Sequence, residues 1–198
     1  MSAYVAWVSA HPLLAAAVQF AVLGTVGETL GHLAATRRRG LPGTPPQMLL
    51  KVAGWALLGL LVKFGFAGMK GFTAALVEHG LLPAACGAGL PRAFALSVLT
   101  NAFFGPQMMA FHRLTDNLIL GRRGFAGIQR AWWTLLWFWI PAHTVTFSLP
   151  REYQVGLAAV WSVALGVILG LAAGSTSPGR GSDIRPDDVT GAGISSGS

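Results

Sequence analysis

Long apolar runs separated by short polar connections dominate the pattern along this chain. The run AWWTLLWFWIPAHTVTFSLP, residues 131–150, contains no Asp, Glu, Lys or Arg. As a helix, most of this run would extend about 28 Å, close to the ~30 Å thickness of a bilayer's hydrocarbon core. Several runs this apolar cannot all be hidden in a soluble core, so the pattern predicts a membrane protein. Because each run is long enough to cross the bilayer as a helix, the predicted fold is all-α. That fold would be a polytopic transmembrane helical bundle.

The pattern predicts five spans, or four if the run at 131–150 lies along the membrane interface. The spans cover residues 13–36, about 48–69, about 92–111, 131–150 and 153–173. Residues 1–10 form a short apolar lead, and Pro12 suits a first helical turn, where its missing donor is not needed. Gly105-Pro106 and Pro141 should each distort a span. Residues 1–174 thus form the bundle, and 175–198, rich in Gly, Ser, Pro and Asp, are predicted to be disordered.

Composition supports the membrane class. Apolar residues make up 53% of the chain and charged residues only 11%, against roughly 25% charged in soluble domains. The net charge of +7 does not indicate nucleic acid, because the cations stand between apolar runs, where they meet lipid headgroups. The connecting loops 37–51 and 112–130 carry the most cations, which predicts that both face the cytoplasmic or matrix side. A bacterial inner membrane and an organelle membrane both fit.

A few polar side chains fall inside the predicted spans and are the candidate functional residues. Glu28 costs about 2.5–3.5 kcal/mol to place in a membrane, so it should face a partner or water. His32 lies one turn further along the same helix face. Lys63 is either the counter-charge of Glu28 or a side chain that reaches the membrane interface. The candidate pore-lining or intramembrane polar residues are Glu28, His32, Lys63, Asn101 and His143. For Glu28, a structural ion pair and a polar pore lining both remain open; Asn101 and His143 favour interhelical hydrogen bonds.

Glycines recur at helical spacing in the first and last spans. Small residues on one face let another helix approach closely. The predicted packing positions are Gly24, Gly27 and Gly31 in the first span, and Gly166 and Gly170 in the last. The second group could receive either a neighbouring helix or a second subunit, so a homo-oligomer is compatible with the sequence.

Signatures of catalysis are missing from the sequence. Glu28 and His32 would supply only two of the three or four ligands that a metal site needs, and no HExxH or CxxC spacing occurs. No phosphate-binding loop or nucleophile elbow is present. The single cysteine, Cys86, excludes an internal disulfide. We therefore expect no enzyme activity, no metal and no cofactor.

Several segments taken together resemble one family of membrane proteins. HPLLAAAVQFAVLGTVGETLGHLAATRRRG, from residue 11, has a His-Pro start, a Gly-acid pair in mid-helix and a basic exit. LTNAFFGPQMMAF, from residue 99, has a small-residue and proline break, and WIPAHTVTFSLPREYQV follows at 139–155. These segments are similar to the family of the Mpv-17 protein and the 22-kilodalton peroxisomal membrane protein. The matching positions are Pro12, Trp139, Pro141, Phe147, Pro150 and Tyr153.

The resemblance implies a small polytopic helical protein with channel-like or metabolite-passing activity. Thr146 and Gln154 stand where that family has asparagine and arginine, and His32 stands where it has glutamine. Two functions follow as hypotheses. The first is a permeation protein whose cationic loops favour anionic metabolites at one mouth. The alternative is a non-transporting membrane organiser that acts through helix–helix contacts at its glycines.

Overall fold

The computed structural model describes residues 2–36, 40–121, 123–124 and 128–175, with the backbone alone at 170 and 172–175. Over these residues the chain forms six helices, one short 3₁₀ turn and no strand, which confirms the all-α prediction. The helices are α1 (Ala3–Ala10), α2 (Pro12–Thr36), α3 (Pro45–Glu78), α4 (Gly89–Leu120), α5 (residues 128–148) and α6 (Arg151–Ser175). The 3₁₀ turn, Ala84–Gly87, precedes α4. Of the predicted tail at 175–198, Ser175 is the last residue of α6, and the rest lies outside the described residues.

Four helices are long and apolar enough to cross a membrane: α2, α3, α4 and the Arg151–Leu169 part of α6. Most residues of these spans are not buried within the chain. Large apolar side chains such as Phe64 and Leu118 point outward instead. Such a surface suits lipid and not water. The protein is therefore a helical membrane protein, as the composition indicates.

Consecutive helices of the bundle run antiparallel. Glu28 in α2 meets Trp55 in α3, whereas Phe20 lies opposite Gly59. Ser97 in α4 reaches Ile140 in α5, whereas Gly105 lies opposite Leu135. The tryptophan-rich run at 131–150 thus lies mostly in α5, alongside α4 for its full length.

The first and last long helices, α2 and α6, run parallel to each other. Gln19 lies beside Gly156. Further along both helices, Gly27 lies beside Val163 and Gly31 beside Gly166. These two helices form the most extensive contact in the bundle. Their parallel course means that an even number of direction reversals separates them.

Helices α3 and α4 extend beyond their predicted ends, and a further short helix forms near the N-terminus. Helix α3 starts at Pro45 and continues to Glu78, so it includes the end of the predicted loop 37–51 and extends nine residues past the predicted end of its span at 69. Helix α4 ends at Leu120, where Gly121 adopts a positive φ of 64°, and not at residue 111. The predicted loop 112–130 is therefore helical over most of its length. The predicted lead at 1–10 contains α1. Arg37, Arg38, Arg39 and Arg122 lie outside the described residues.

Two π-helical turns interrupt the regular helices directly before prolines. Thr100–Phe104 precedes Gly105-Pro106, and Leu135–Trp139 ends two residues before Pro141. A proline lacks an N–H, and its ring clashes with the carbonyl of the preceding turn, so the hydrogen-bond register must change there. The backbone N–H of Gly105 accordingly donates to the carbonyl of Thr100. The predicted distortions therefore take the form of π-helical turns.

Candidate functional site

A buried ion cluster joins α2, α3 and α4. The Lys51 ammonium, only 3% exposed, donates to Oε1 of Glu28 and, at 2.6 Å, to Oδ1 of Asp116. The indole Nε1 of Trp55 donates to the second Glu28 oxygen at 3.1 Å. The Trp55 ring lies against that of His112, with centroids 4.5 Å apart. Both oxygens of Glu28 thus have partners on α3.

The ion cluster shows which residue compensates the charge of Glu28. Glu28 does have a counter-charge inside the bundle, but this charge is Lys51 and not Lys63. Lys63 lies three helical turns further along α3 and forms no ion pair with a described residue. His32 likewise forms no hydrogen bond with Glu28 among the residues placed by the structure. Lys51 was counted among the loop cations because the start of α3 was predicted too late.

A cavity of about 390 Å³ lies in the middle of the bundle. Residues from all five long helices, α2 to α6, line it. Most of its surface is apolar, and Glu28 is the only charged residue on it among those that the structure describes. Glu28, Trp55 and His112 belong both to this lining and to the ion cluster, so the cluster adjoins the cavity. Of the predicted polar residues, Glu28, Asn101 and His143 reach the cavity, whereas His32 and Lys63 do not.

A second polar group lies deeper in the cavity wall, between α4 and α5. The side-chain N–H of Asn101 donates to the carbonyl of Ser97 at 2.8 Å and lies 3.1 Å from Nδ1 of His143. The expected interhelical hydrogen bond of these two residues is therefore present. Three lining residues also carry a buried polar atom with no partner in the described part of the chain. These atoms are Thr100 Oγ1, Asn101 Oδ1 and Trp139 Nε1.

The cavity ends at a packed aromatic and aliphatic core on the side of α1. Phe66 packs edge to face on Phe147, with ring centroids 4.8 Å apart, and the His143 ring contacts both. Buried residues of this core continue from there toward α1: Ala16, Ala93, Leu96, Phe147, Val155 and Ala159. The opposite end, which we call the basic end, is where α2 is connected to α3 and α4 to α5. The cavity reaches toward it at Gly31, His112 and Leu169.

The glycines of the first and last spans meet each other within one chain. A Cβ on Gly166 would lie 2.7 Å from the carbonyl oxygen of Gly27, and one on Gly31 would lie 2.7 Å from that of Gly166. Gly24 receives the ring of Trp55. Gly166 is thus in contact with α2, and the predicted packing role of these glycines is filled internally. Gly170 continues α6, but its surroundings lie outside what the structure describes.

The residues behind the family resemblance occupy different environments. Pro12 opens α2, and Tyr153 stacks on Tyr4 of α1 with centroids 5.6 Å apart. Trp139 and Phe147 are buried, the first in the cavity wall and the second in the core that closes it. Pro141 and Pro150 are exposed, within α5 and directly before α6. Trp132, Trp133 and Trp137 also face outward, as expected for a tryptophan belt at the membrane interface.

Four site residues were not predicted from the sequence: Lys51, Trp55, His112 and Asp116. A signal for Lys51 exists, because Thr44-Pro-Pro-Gln47 has the spacing of a capping box and places a helix start at Pro45. The Gln47 side chain does accept from the Thr44 N–H at 2.9 Å. Asp116 follows His112 by four residues, which places both on one helix face. Among the described residues, no group of three or more His, Cys, Asp or Glu is arranged to hold a metal ion.

These features define a class: a polytopic α-helical membrane protein with an internal cavity and a buried ion cluster beside it. In comparisons with known proteins, no family model matches this chain, and neither does any curated protein or solved structure. The resemblance to the Mpv-17 family therefore stays a prediction. The site itself has to carry the functional argument.

Proposed function

We propose that this protein lets a small solute pass into or through the membrane by way of the central cavity. The observation that carries the proposal is a cavity of about 390 Å³ lined by all five long helices, with an ion cluster at its edge. Cavities between the helices of a bundle are common sites for small molecules. A membrane protein gains nothing in stability from such a void, since lost packing contacts cost free energy.

The aromatic core at the far end gives the path a closed side. Phe66 and Phe147 lie between the cavity and the α1 side of the bundle. Passage across the whole membrane therefore requires these two rings to separate. In this proposal the path is gated, and the aromatic core is its closed side.

Solute flux into liposomes tests the proposal. Purified protein in liposomes should speed the uptake of small solutes above the rate of protein-free vesicles, measured by stopped-flow light scattering. Glu28→Gln should change that rate at least severalfold, because it removes the charge from the cavity wall. Glu78→Gln is the matched control, since Glu78 is an exposed acid at the C-terminal end of α3. A wild-type rate equal to that of empty vesicles contradicts the proposal.

The closed end supplies a second arm of the same experiment. Phe66→Ala should raise the uptake rate, because it removes one ring of the seal. Phe64→Ala removes a ring from the same helix that faces outward and is 62% exposed, so the rate should stay unchanged. Equal rates for both variants would show that the seal does not lie on the path.

The alternative function, a membrane organiser, has lost part of its predicted surface. It used Gly166 and Gly170 as a docking face for a second subunit or partner. Gly166 is already packed against α2 of its own chain. No contact among the described residues favours this alternative, so we propose only the first function. We further propose that the basic end faces the cytoplasm or matrix.

A further inference from the structure

We propose that the cavity binds a neutral aromatic molecule bearing a hydroxyl or a similar hydrogen-bonding group. This ligand class is narrower than the small solutes of the proposed function. The inference rests on that proposed function for the choice of site. Three features of the wall carry it: the aromatic rings, the sign and placement of the charges, and the polar atoms that have no partner.

Aromatic side chains form much of the cavity wall. Rings come from every long helix except α6, and they belong to Phe20, Trp55, Phe66, Phe104, His112, Trp139 and His143. Aromatic rings favour other flat rings in stacked or edge-to-face contact. The volume, about 390 Å³, falls within the ~300–1,000 Å³ typical of pockets that take drug-sized molecules. A molecule with one or two fused rings fits these walls.

The charges around the cavity disfavour an anion. No Lys or Arg is among its lining residues in the described ranges, and Glu28 supplies one negative charge to the wall. Just behind it, Asp116 and Glu28 share a single ammonium, that of Lys51. The cluster of three groups thus carries one net negative charge, which the nearby Arg113 guanidinium partly offsets. An anion entering here would meet Glu28 and no Lys or Arg in the described wall, and it would lose its hydration.

The same cluster gives a cation little to bind. Each Glu28 oxygen already accepts a hydrogen bond, one from Lys51 and one from Trp55. A cationic ligand would have to displace these donors or remain without a counter-ion in an apolar cavity, and either alternative is costly. A neutral ligand avoids both costs. This inference differs from the sequence-based expectation that cationic loops favour anionic metabolites at one mouth.

The polar atoms without partners define what the ligand must offer. Asn101 Nδ2 faces the Ser97 carbonyl, which can only accept, so Asn101 Oδ1 is an acceptor that needs a donor. Trp139 Nε1 is a donor that needs an acceptor. Asn101 and Trp139 are 3% and 8% exposed, so both atoms are buried in the wall. A ligand hydroxyl that reached both atoms would accept from the indole and donate to the amide oxygen.

Binding of a naphthalene series to the protein in nanodiscs tests this inference. The probes share one ring system: 2-naphthol is neutral and can donate and accept, 2-methoxynaphthalene only accepts, 2-naphthoate is an anion, and 2-naphthylmethylammonium is a cation. Calorimetric titration, with empty nanodiscs subtracted, should show saturable binding of 2-naphthol at one site per chain. The methoxy probe should bind about three- to tenfold more weakly. Both charged probes should bind more weakly still.

Two variants locate the bound group. Asn101→Leu should weaken 2-naphthol binding about three- to tenfold and leave the methoxy probe unaffected, because only the hydroxyl donates to Asn101. Trp139→Phe keeps a ring but removes the indole donor, so it should weaken both probes. Gln107→Leu removes an amide from an exposed position on the same helix as Asn101 and should change neither.

The inference is overturned if 2-naphthol does not bind saturably, or if either charged probe binds as tightly. It is also overturned if Asn101→Leu weakens the two neutral probes equally. Should Asn101→Leu fail to fold, Trp139→Phe decides, and an unchanged 2-naphthol affinity there overturns the inference. Binding without flux would reject the proposed passage alone, and flux without binding would reject only this assignment of the ligand.

Discussion

Lys51 illustrates how a charged residue can be kept inside a membrane bundle. Its ammonium lies between two carboxylates from two other helices, and Trp55 occupies the remaining oxygen of Glu28. Removing one partner from such a group leaves the others buried without compensation, which costs more than the whole group contributes. The three charges therefore act as a unit that fixes α2, α3 and α4 in register.

Replacing the ammonium tests this account. Lys51→Met should destabilise the protein by about 3 kcal/mol, because two carboxylates then face each other without a cation. Thermal unfolding in mild detergent, followed by near-ultraviolet circular dichroism, would measure the loss. Lys63→Met is the matched control from the same helix, and it should cost less than about 1 kcal/mol since no ion pair is broken.

Similar losses for the two lysine variants would contradict the assignment of Lys51 as the partner of Glu28. Restoring stability by neutralising both acids as well, in Lys51→Met with Glu28→Gln and Asp116→Asn, would show that the loss in Lys51→Met comes from charge. A shortfall in the triple variant as large as in Lys51→Met would instead point to packing.

At single positions, the sequence predicted that Glu28 faces a partner or water, and it did not identify Lys51 as that partner. A charge in an apolar helix demands compensation, and this rule needs no structure. The identity of the partner depends on which residues lie at equal height in neighbouring helices. An error in a predicted helix start changes which residues are placed side by side at one depth in the bundle. Moving the start of α3 to Pro45 places Lys51 inside the helix.

Among the helices, α2 and α6 show how glycine sets the distance between two elements. Gly27, Gly31 and Gly166 bring two backbones together so closely that an added methyl group would meet a main-chain atom. Main-chain atoms cannot rotate aside as side chains do. The contact therefore depends on the helices keeping their present separation.

Gly166→Ala should accordingly destabilise the bundle by about 1–3 kcal/mol, since the two helices must move apart. The control is Gly68→Ala, which replaces a glycine inside α3 with nothing within 4 Å of the new methyl group. That variant should be neutral or stabilising by up to about 1 kcal/mol, because alanine favours helix more than glycine does. Thermal unfolding of both variants in the same detergent gives the comparison, and equal melting temperatures would refute it.

Helix existence was predictable here, whereas helix ends were not. Apolar runs located the long helices, but α4 continues through His112, Arg113 and Asp116, which the polar criterion assigned to a loop. Polarity marks where a helix leaves lipid, not where it stops. Stop signals such as the left-handed Gly121 mark the true end. The prolines predicted a distortion, and the π-helical turns are its local form.

For the whole molecule, the parallel course of α2 and α6 bears on how many times the chain crosses the membrane. Four helices pass the criteria of length and apolarity. If α5 lay along the interface, α6 would cross in the direction opposite to α2. The observed parallel contact, and the alignment of α5 with α4, favour five crossings.

The crossing number can be measured with the native cysteine. Cys86 lies in the 3₁₀ turn between α3 and α4, and it is the sole cysteine of the chain. With five crossings, a membrane-impermeant maleimide should label Cys86 from the outside of intact cells. A tag after Ser198 should become protease-sensitive only when the cells are permeabilised. Gly40→Cys combined with Cys86→Ser reports the basic end and should behave like the tag.

Four crossings would place Cys86 and the tag on the same side, so one label pattern decides between the two counts.

The cavity could not have been predicted at this scale. It arises where five helices fail to fill the space between them, and that depends on the relative rotation of all five. Hydropathy along a single chain carries no information about such rotations.

The contact between α2 and α6 also imposes an order on biogenesis. The two helices with the most extensive contact are the first and the last of the long helices in the described part of the chain. Until α6 emerges, the small-residue face of α2 has only lipid to cover it, and one wall of the cavity is missing. The cavity therefore gains its α6 wall only when that helix is inserted beside α2.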